Sequence, residues 1–243
     1  MNKVLIADSV SSAVSEVFDK NGIAYDTKIG LSEDELATEI TEYSGLIVRS
    51  AVTVTEKIIN SASNLKVIGR PGVGVDNVDL KAATNNGIVV MNTPLGNVQA
   101  TAELTFGIIH SLMRKISNAN QSMHQKKWEK KKFIGNEMYG KTIGIIGFGN
   151  IGKKVSQIAH AYGMNVLVYS ASISPEDEKK FNVTNQSIDD ILEGADIITF
   201  HNKLSENSKY LINSNAITKM KKNAIIITCA RGGLVNEKDT NEA

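Results

Sequence analysis

Gly147-Phe148-Gly149-Asn150-Ile151-Gly152 joins an apolar run, Thr142-Ile143-Gly144-Ile145-Ile146, to a stretch whose apolar residues recur at Ile151, Val155, Ile158 and Ala159. The run reads as a buried strand and the recurrence as an amphipathic helix. A GxGxxG string alone is common in proteins, but one that turns a strand into a helix is what a dinucleotide site requires. In that reading Gly147 permits the tight turn, Gly149 lets the backbone approach a pyrophosphate, and Gly152 lets the helix pack closely on its strand. The backbone at Asn150 and Ile151, together with the helix dipole, then faces the phosphates.

Working outward, strands over 142–146, 165–169, 196–200 and 223–228 alternate with helices over 151–162, 188–193 and 214–219, the pattern of a parallel sheet covered by helices. Ligands of such sheets bind outside the carboxyl ends of the strands, where the polar segments 170–172, 201–204 and 229–233 fall. Ser170, His201, Asn202, Cys229, Ala230 and Arg231 are therefore candidate cofactor contacts. Cys229 is the only cysteine, so neither an intramolecular disulfide framework nor a Cys-rich metal site is expected, and by itself it reads as a small core residue. No metal ligand set is expected elsewhere.

The first hundred residues follow the same alternation, with strands over 3–7, 23–27, 45–48, 66–68 and 88–90 and helices over 32–43, 55–61 and 77–85. Ser32 followed by Glu35 marks a capping box. Asn92-Thr93-Pro94-Leu95-Gly96-Asn97 interrupts the pattern and leads into a long helix predicted over 98–123. That break divides the chain into two α/β domains, 1–97 and 98–243. The charged run 126–132 reads as a solvated connector, or else as an arm contacting another subunit or an anion through Trp128. The 27 basic and 26 acidic residues leave a net charge of +1, too balanced for a protein that works by neutralising nucleic-acid phosphates. A charge soon after the short apolar N-terminal run, and no apolar stretch near the roughly 18–20 residues of a span, point to a cytoplasmic protein with a small-molecule partner.

Several blocks, in order, carry a family resemblance: Val48-Arg49-Ser50-Ala51, Gly69-Arg70-Pro71-Gly72-Val73-Gly74-Val75-Asp76-Asn77-Val78-Asp79, Met91-Asn92-Thr93-Pro94 with Gly96-Asn97, Thr101-Ala102-Glu103-Leu104-Thr105, the glycine turn, and Cys229-Ala230-Arg231-Gly232-Gly233-Leu234-Val235. Along essentially its whole length the sequence resembles the D-isomer-specific 2-hydroxyacid dehydrogenases. The Gly-Val-Gly-Val-Asp-Asn-Val-Asp and Asn-Thr-Pro-x-Gly-Asn blocks are more similar to the branch acting on 3-phospho-D-glycerate than to the glyoxylate or lactate branches.

The resemblance implies two doubly wound parallel-sheet domains, a flavodoxin-like substrate domain followed by an incomplete Rossmann NAD-binding domain. It implies NAD-dependent interconversion of 3-phospho-D-glycerate and 3-phosphohydroxypyruvate, the entry step to serine, and a homodimer built through the long helix and arm of residues 98–140. Arg231 matches the family's catalytic arginine, whose fork can clamp a substrate carboxylate while polarising the carbonyl that receives hydride. Outside the motif it would read as a structural arginine at a strand end. The backbone of Gly72, Val73 and Gly74 matches the loop that holds the substrate carboxylate, with Arg49, Ser50 and Asn97 as further substrate contacts and Arg49 as a phosphate partner. Asn97 also suits a plain helix N-cap.

The sequence departs from the family in three places. The catalytic glutamate and histidine lie, in the family, beyond the arginine block, and have no counterpart before Ala243. A C-terminally truncated chain is therefore expected, with impaired chemistry, an uncovered helix-packing face and a tendency to aggregate. His110, His124 and His160 read as packing or surface residues, and His201 as a cofactor contact rather than a substitute acid. Ser170 stands where an acidic residue commonly takes the adenosine ribose hydroxyls, and no arginine within 170–174 offers to take a 2′-phosphate, so NAD is expected and NADP is left open. Asn202 and Lys203 replace the family's threonine and proline. Two other readings stand beside the main one: an inert dinucleotide-binding protein, and a glyoxylate or hydroxypyruvate reductase.

Overall fold

The computed structural model describes residues 3–242. Met1 and Asn2, where the N-terminal reading begins, and Ala243, on which the expectation of truncation turns, lie outside the described residues. The chain divides into two compact units, Met1–Asn97 and Val98–Ala243.

The first unit runs β1 (Lys3–Ile6), α1 (Ala13–Lys20), β2 (Ala24–Thr27), α2 (Glu33–Glu39), β3 (Gly45–Ile47), α3 (Glu56–Ser61), β4 (Val67–Arg70), α4 (Leu80–Asn85) and β5 (Val89–Asn92). Its five strands are all parallel in the order β2-β1-β3-β4-β5, the flavodoxin-like arrangement. Because strand side chains alternate, Leu5, Leu46, Val48 and Ile68 share one face and pack with Leu36, Ile40, Ile58, Ile59 and Ala83 from the helices into one core. The alternate face, with Val4, Ile47, Val67, Gly69 and Met91, lines an open apolar groove of about 390 Å³.

Helix starts in this unit follow their caps. The Ser32–Glu35 capping box opens α2, with Ser32 N–H donating to Glu35 Oε2 at 2.8 Å. The helix predicted over 32–43 ends at Glu39, where the backbone tightens into a 3₁₀ turn, Ile40–Glu42, that delivers Tyr43 into the core. The helix predicted from 77 begins only at Leu80: the Asp79 side chain accepts from Ala82 N–H at 2.9 Å, and Asn77 is drawn into a loop. The sequence pattern also gave no warning of α1, a short helix with no side-chain cap and no buried residue.

The second unit contains α5 (Val98–Met113), α6 (Ile116–His124), β6 (Thr142–Ile146), α7 (Asn150–Ala161), β7 (Asn165–Tyr169), α8 (Pro175–Phe181), α9 (Ile188–Gly194), β8 (Ile197–Phe200), α10 (Ser214–Lys219), β9 (Ile225–Thr228) and α11 (Glu237–Glu242). The parallel sheet has the order β7-β6-β8-β9, and Asn185 bridges Val168 on the outer edge of β7 in the place of a further strand. This is the Rossmann order around a central β6. Ile143, Ile145, Val168 and Ile197 pack on α5 and α7 through Phe106, Ile109, Val155 and Ala159. Ile146, Ile198 and Phe200 face α9 and α10 through Ile191, Leu192 and Ala216, so helices cover both faces.

The single helix expected over 98–123 is broken. Lys115 adopts a left-handed conformation, φ 53°, between α5 and α6. The Met113 carbonyl, an orphan at the end of α5, instead accepts the Asn136 N–H at 2.9 Å from the returning arm. Gly135 makes that approach feasible, since a Cβ there would lie 2.3 Å from the same carbonyl oxygen. Among the described residues no helix is long and apolar enough to cross a membrane.

Candidate active site

Strands β6, β7, β8 and β9 end in register: Ile146 lies opposite Tyr169 and Phe200, and Phe200 lies opposite Thr228. The next residue after each strand is therefore set in one row along the carboxyl edge, and those residues are Gly147, Ser170, His201 and Cys229. Gly147 N–H donates to Tyr169 O and His201 N–H to Ile146 O, both at 2.8 Å, which extends the ladder into the loops.

Within that row the glycine turn has the shape its spacing implies. Gly147 has φ +99°, and a Cβ there would meet Asn202 N at 2.5 Å, so the turn and the loop after β8 approach backbone to backbone. A Cβ on Gly152 would strike Gly147 O at 2.1 Å, which is why α7 can start so close to its strand. Around Gly149 the corresponding space is open. Gly149 is also the N-cap of α7 and has no side chain to cap it, so the first-turn N–H groups of Asn150, Ile151 and Gly152 lack an intrahelical acceptor. Open space above unsatisfied donors at the positive end of a twelve-residue helix suits a pyrophosphate. Asn202 supplies a second sign: its Oδ1 is buried without a hydrogen-bond partner. The residues present therefore fit a dinucleotide.

His201 is held by Thr199, with Nε2 and Oγ1 3.0 Å apart, and burial pushes its pKa down to about 4. It is neutral at physiological pH, so it can meet a ligand as a hydrogen-bonding ring but is a poor proton donor. The other histidines are engaged elsewhere or at the surface: His110 Nε2 lies 2.8 Å from Tyr162 Oη, His160 Nε2 lies 3.0 Å from Phe181 O, and His124 is exposed on the last turn of α6. Arg231 is exposed just past Cys229 and Ala230, with Nη1 donating to Ala230 O at 2.9 Å. A cavity of about 580 Å³ in this unit lies at the opposite edge, where Lys141, Asp196 and Asn223 precede their strands. Volume therefore does not mark the site.

In the first unit the loops after β3, β4 and β5 carry Arg49 and Ser50, then Gly72, Val73 and Gly74, then Asn97. Their shape is fixed by residues to which the sequence pattern assigns no role. Asp8, buried beyond the end of β1, accepts through Oδ2 from Arg49 N–H at 2.9 Å and Ala51 N–H at 3.0 Å. Asn77 Nδ2 donates to the carbonyls of Arg49 and Val52. Asn92 Nδ2 donates to Val73 O at 2.7 Å, and Thr93 N–H to Gly72 O at 3.0 Å. The guanidinium of Arg70 occupies the space a Cβ on Gly72 would need. A carboxylate just past an apolar strand, as at Asp8, was the one available signal for this scaffold. Ser50 is exposed and Arg49 Nη1 donates to Ser9 O at 3.3 Å.

Residues 106–243 match the model of the D-isomer specific 2-hydroxyacid dehydrogenase, NAD binding domain. The chain is 45% identical over 237 residues to a Homo sapiens protein named D-3-phosphoglycerate dehydrogenase, covering 98% of this chain and 44% of that protein. A Bacillus subtilis protein of the same name is 42% identical over 245 residues, covering 100% of this chain and 46% of its own length. The chain thus spans under half the length of these curated relatives. Among solved structures, the TT0316 protein from Thermus thermophilus superimposes with a TM-score of 0.90 at 29% identity, over 99% of this chain and 78% of that one. The in-register strand ends and glycine turn are thus those of an NAD-binding domain, and the chain belongs to the D-isomer specific 2-hydroxyacid dehydrogenase family.

Proposed function

We propose that this chain acts in the reversible, NAD-dependent interconversion of 3-phospho-D-glycerate and 3-phosphohydroxypyruvate in the cytoplasm, as a homodimer formed through α5 and the arm that follows it. The observation that carries the substrate is the 42–45% identity along almost the whole chain to relatives named for that reaction. The strand-end row supports the redox half of the reading. When bound there, the nicotinamide supplies or accepts hydride at the substrate's C2.

Each unit contributes its own groups. In the second, the α7 N-terminus and the Gly149 cradle take the pyrophosphate, and Ser170, His201, Asn202, Cys229 and Ala230 line the edge. Arg231 presents a rigid, permanently charged fork that can hold a carboxylate and polarise a neighbouring carbonyl as negative charge develops on its oxygen. In the first, the backbone of Gly72, Val73 and Gly74 offers N–H donors to the substrate carboxylate, with Ser50 and Asn97 as further substrate contacts and Arg49 for the phosphate.

His110 and His160 are engaged by Tyr162 and Phe181, His124 lies on the surface of α6, and burial holds His201 neutral, so the role of the acid is assigned to none of the four. A polypeptide of these 243 residues is therefore expected to bind NADH yet turn over 3-phosphohydroxypyruvate far below the roughly 1 s⁻¹ typical of enzymes. NADH fluorescence titration followed by substrate-dependent oxidation of NADH separates the two. Arg231→Ala should abolish substrate binding, read as 3-phosphohydroxypyruvate-induced change in bound NADH fluorescence, while NADH, held chiefly at the glycine turn, still binds. Loss of NADH binding in that variant, or unaltered substrate binding, would remove Arg231 from its assigned role.

A further inference from the structure

Ser170 stands where dinucleotide sites commonly place a carboxylate, and its surroundings are fixed in unusual detail. Its N–H donates to Asn185 Oδ1 at 3.0 Å, and Asn185 Nδ2 donates back to Ser170 O at 3.1 Å, so one side-chain amide takes the place of a strand beside it. Asn185 is itself seated on β7 by its bridge to Val168, and the Gln186 N–H donates to Val168 O at 2.7 Å. Behind it, the Asn185 N–H donates to Glu178 Oε1 at 2.6 Å. A carboxylate of α8 is thereby pinned two hydrogen bonds from the backbone of Ser170.

The neighbouring charges are mixed, and Glu178 itself is in none of the ion pairs described around α8. Asp177 is paired with Lys153 at 2.8 Å, and the ammonium groups of Lys153 and Lys180 both lie over the Phe181 ring at 5.7 Å. Glu176 adds a further acid in the first turn of α8, Lys179 lies in its last turn, and residues 170–185 contain no arginine.

We propose that Glu178, positioned through Asn185, sets the cofactor preference of this site: the carboxylate usually found at the end of the second strand has moved to α8, where its charge selects the dinucleotide with a free 2′-hydroxyl over the 2′-phosphorylated one. This rests on the dinucleotide reading of the glycine turn. A 2′-phosphate brings about −1.5 to −2 charges at neutral pH. Glu178 is linked to the Ser170 backbone through Asn185 by two hydrogen bonds, a path comparable with the Debye length of ~8 Å at physiological ionic strength, so the repulsion is screened only in part. A ribose hydroxyl incurs no such penalty, and Ser170, without charge, neither adds to the discrimination nor opposes it.

The test is parallel titration of the 243-residue chain with NADH and with NADPH, read by nucleotide fluorescence. NADH is expected to bind about tenfold tighter or more, with the ratio falling as salt rises. Glu178→Gln keeps an oxygen that accepts the Asn185 N–H but removes the charge, so it should narrow the ratio severalfold, chiefly by tightening NADPH. Adding Ser170→Asp in that background should widen it again. A wild-type ratio near or below one, or a ratio unmoved by Glu178→Gln, overturns the proposal while leaving the dinucleotide site intact. Failure of wild-type chain to bind either nucleotide overturns the site reading and this proposal with it.

Discussion

His201 shows how a residue's position in the sheet decides its chemistry. It follows a strand whose four residues are all buried, and that burial holds its imidazole neutral with a pKa of about 4. The unfolded chain, with an ordinary value near 6.5, takes up a proton on falling pH before the folded chain does. The unfolded state binds more protons between about pH 6.5 and 4, so stability falls as pH falls through that window and is unaffected by His201 above it. The loss reaches up to about 3 kcal/mol at the acid end. Urea unfolding at about pH 7.5 and about pH 5 should show it, and His201→Gln should remove most of the difference. An equal pH dependence in both chains would mean that His201 is more hydrated than its surroundings indicate. Residues of this kind are partly legible in sequence: that His201 ends a strand was readable, whereas the desolvation that silences it comes from burial in the folded unit, which no local pattern reports.

At the scale of elements, strands were more legible than helices because a run of β-branched residues between polar turns has few alternatives, while helix ends are set by partners far along the chain. Tyr43 leaves the helical path to reach Asp26, 2.6 Å from its hydroxyl, and Asn77 leaves it to brace the loop after β3. The α5–α6 break is the clearest case, since nothing within 98–123 announces it and the cause lies at Gly135 and Asn136. Two substitutions probe it. Lys115 carries the cost of a left-handed backbone, about 1–2 kcal/mol, that glycine does not incur, so Lys115→Gly should stabilise the second unit by about 0.5–1 kcal/mol after glycine's own entropic cost. Gly135→Ala drives a Cβ into the Met113 carbonyl and should destabilise it by about 1–3 kcal/mol. Denaturant midpoints followed by far-UV circular dichroism give both values. Stabilisation by the alanine, or destabilisation by the glycine, would mean that the arm does not hold the break.

At the scale of the whole molecule, α5 is apolar on two sides, which a helix at the surface of a monomer rarely is. One side, Ala102, Phe106, Ile109 and Met113, is buried in the second unit. On the other, Leu104 is 57% exposed and Leu112 52%, eight residues apart and so on one stripe. The arm that follows carries two further exposed apolar residues, Trp128 at 80% and Ile134 at 74%. Single exposed apolar residues need no explanation, but two on one stripe of a helix followed by an arm with an exposed tryptophan suit a subunit contact, and a self-complementary stripe closes on a two-fold axis. Such an interface typically buries about 1,200–2,000 Å², within reach of a sixteen-residue helix and its arm. Light scattering after gel filtration should therefore give twice the 26.3 kDa chain mass at micromolar concentration. Leu104→Glu with Leu112→Glu should return the chain to its single mass while NADH still binds, because neither side chain touches the core that carries the strand-end row. A wild-type chain that runs as a monomer, or a double variant that remains dimeric, would place the stripe outside any subunit contact.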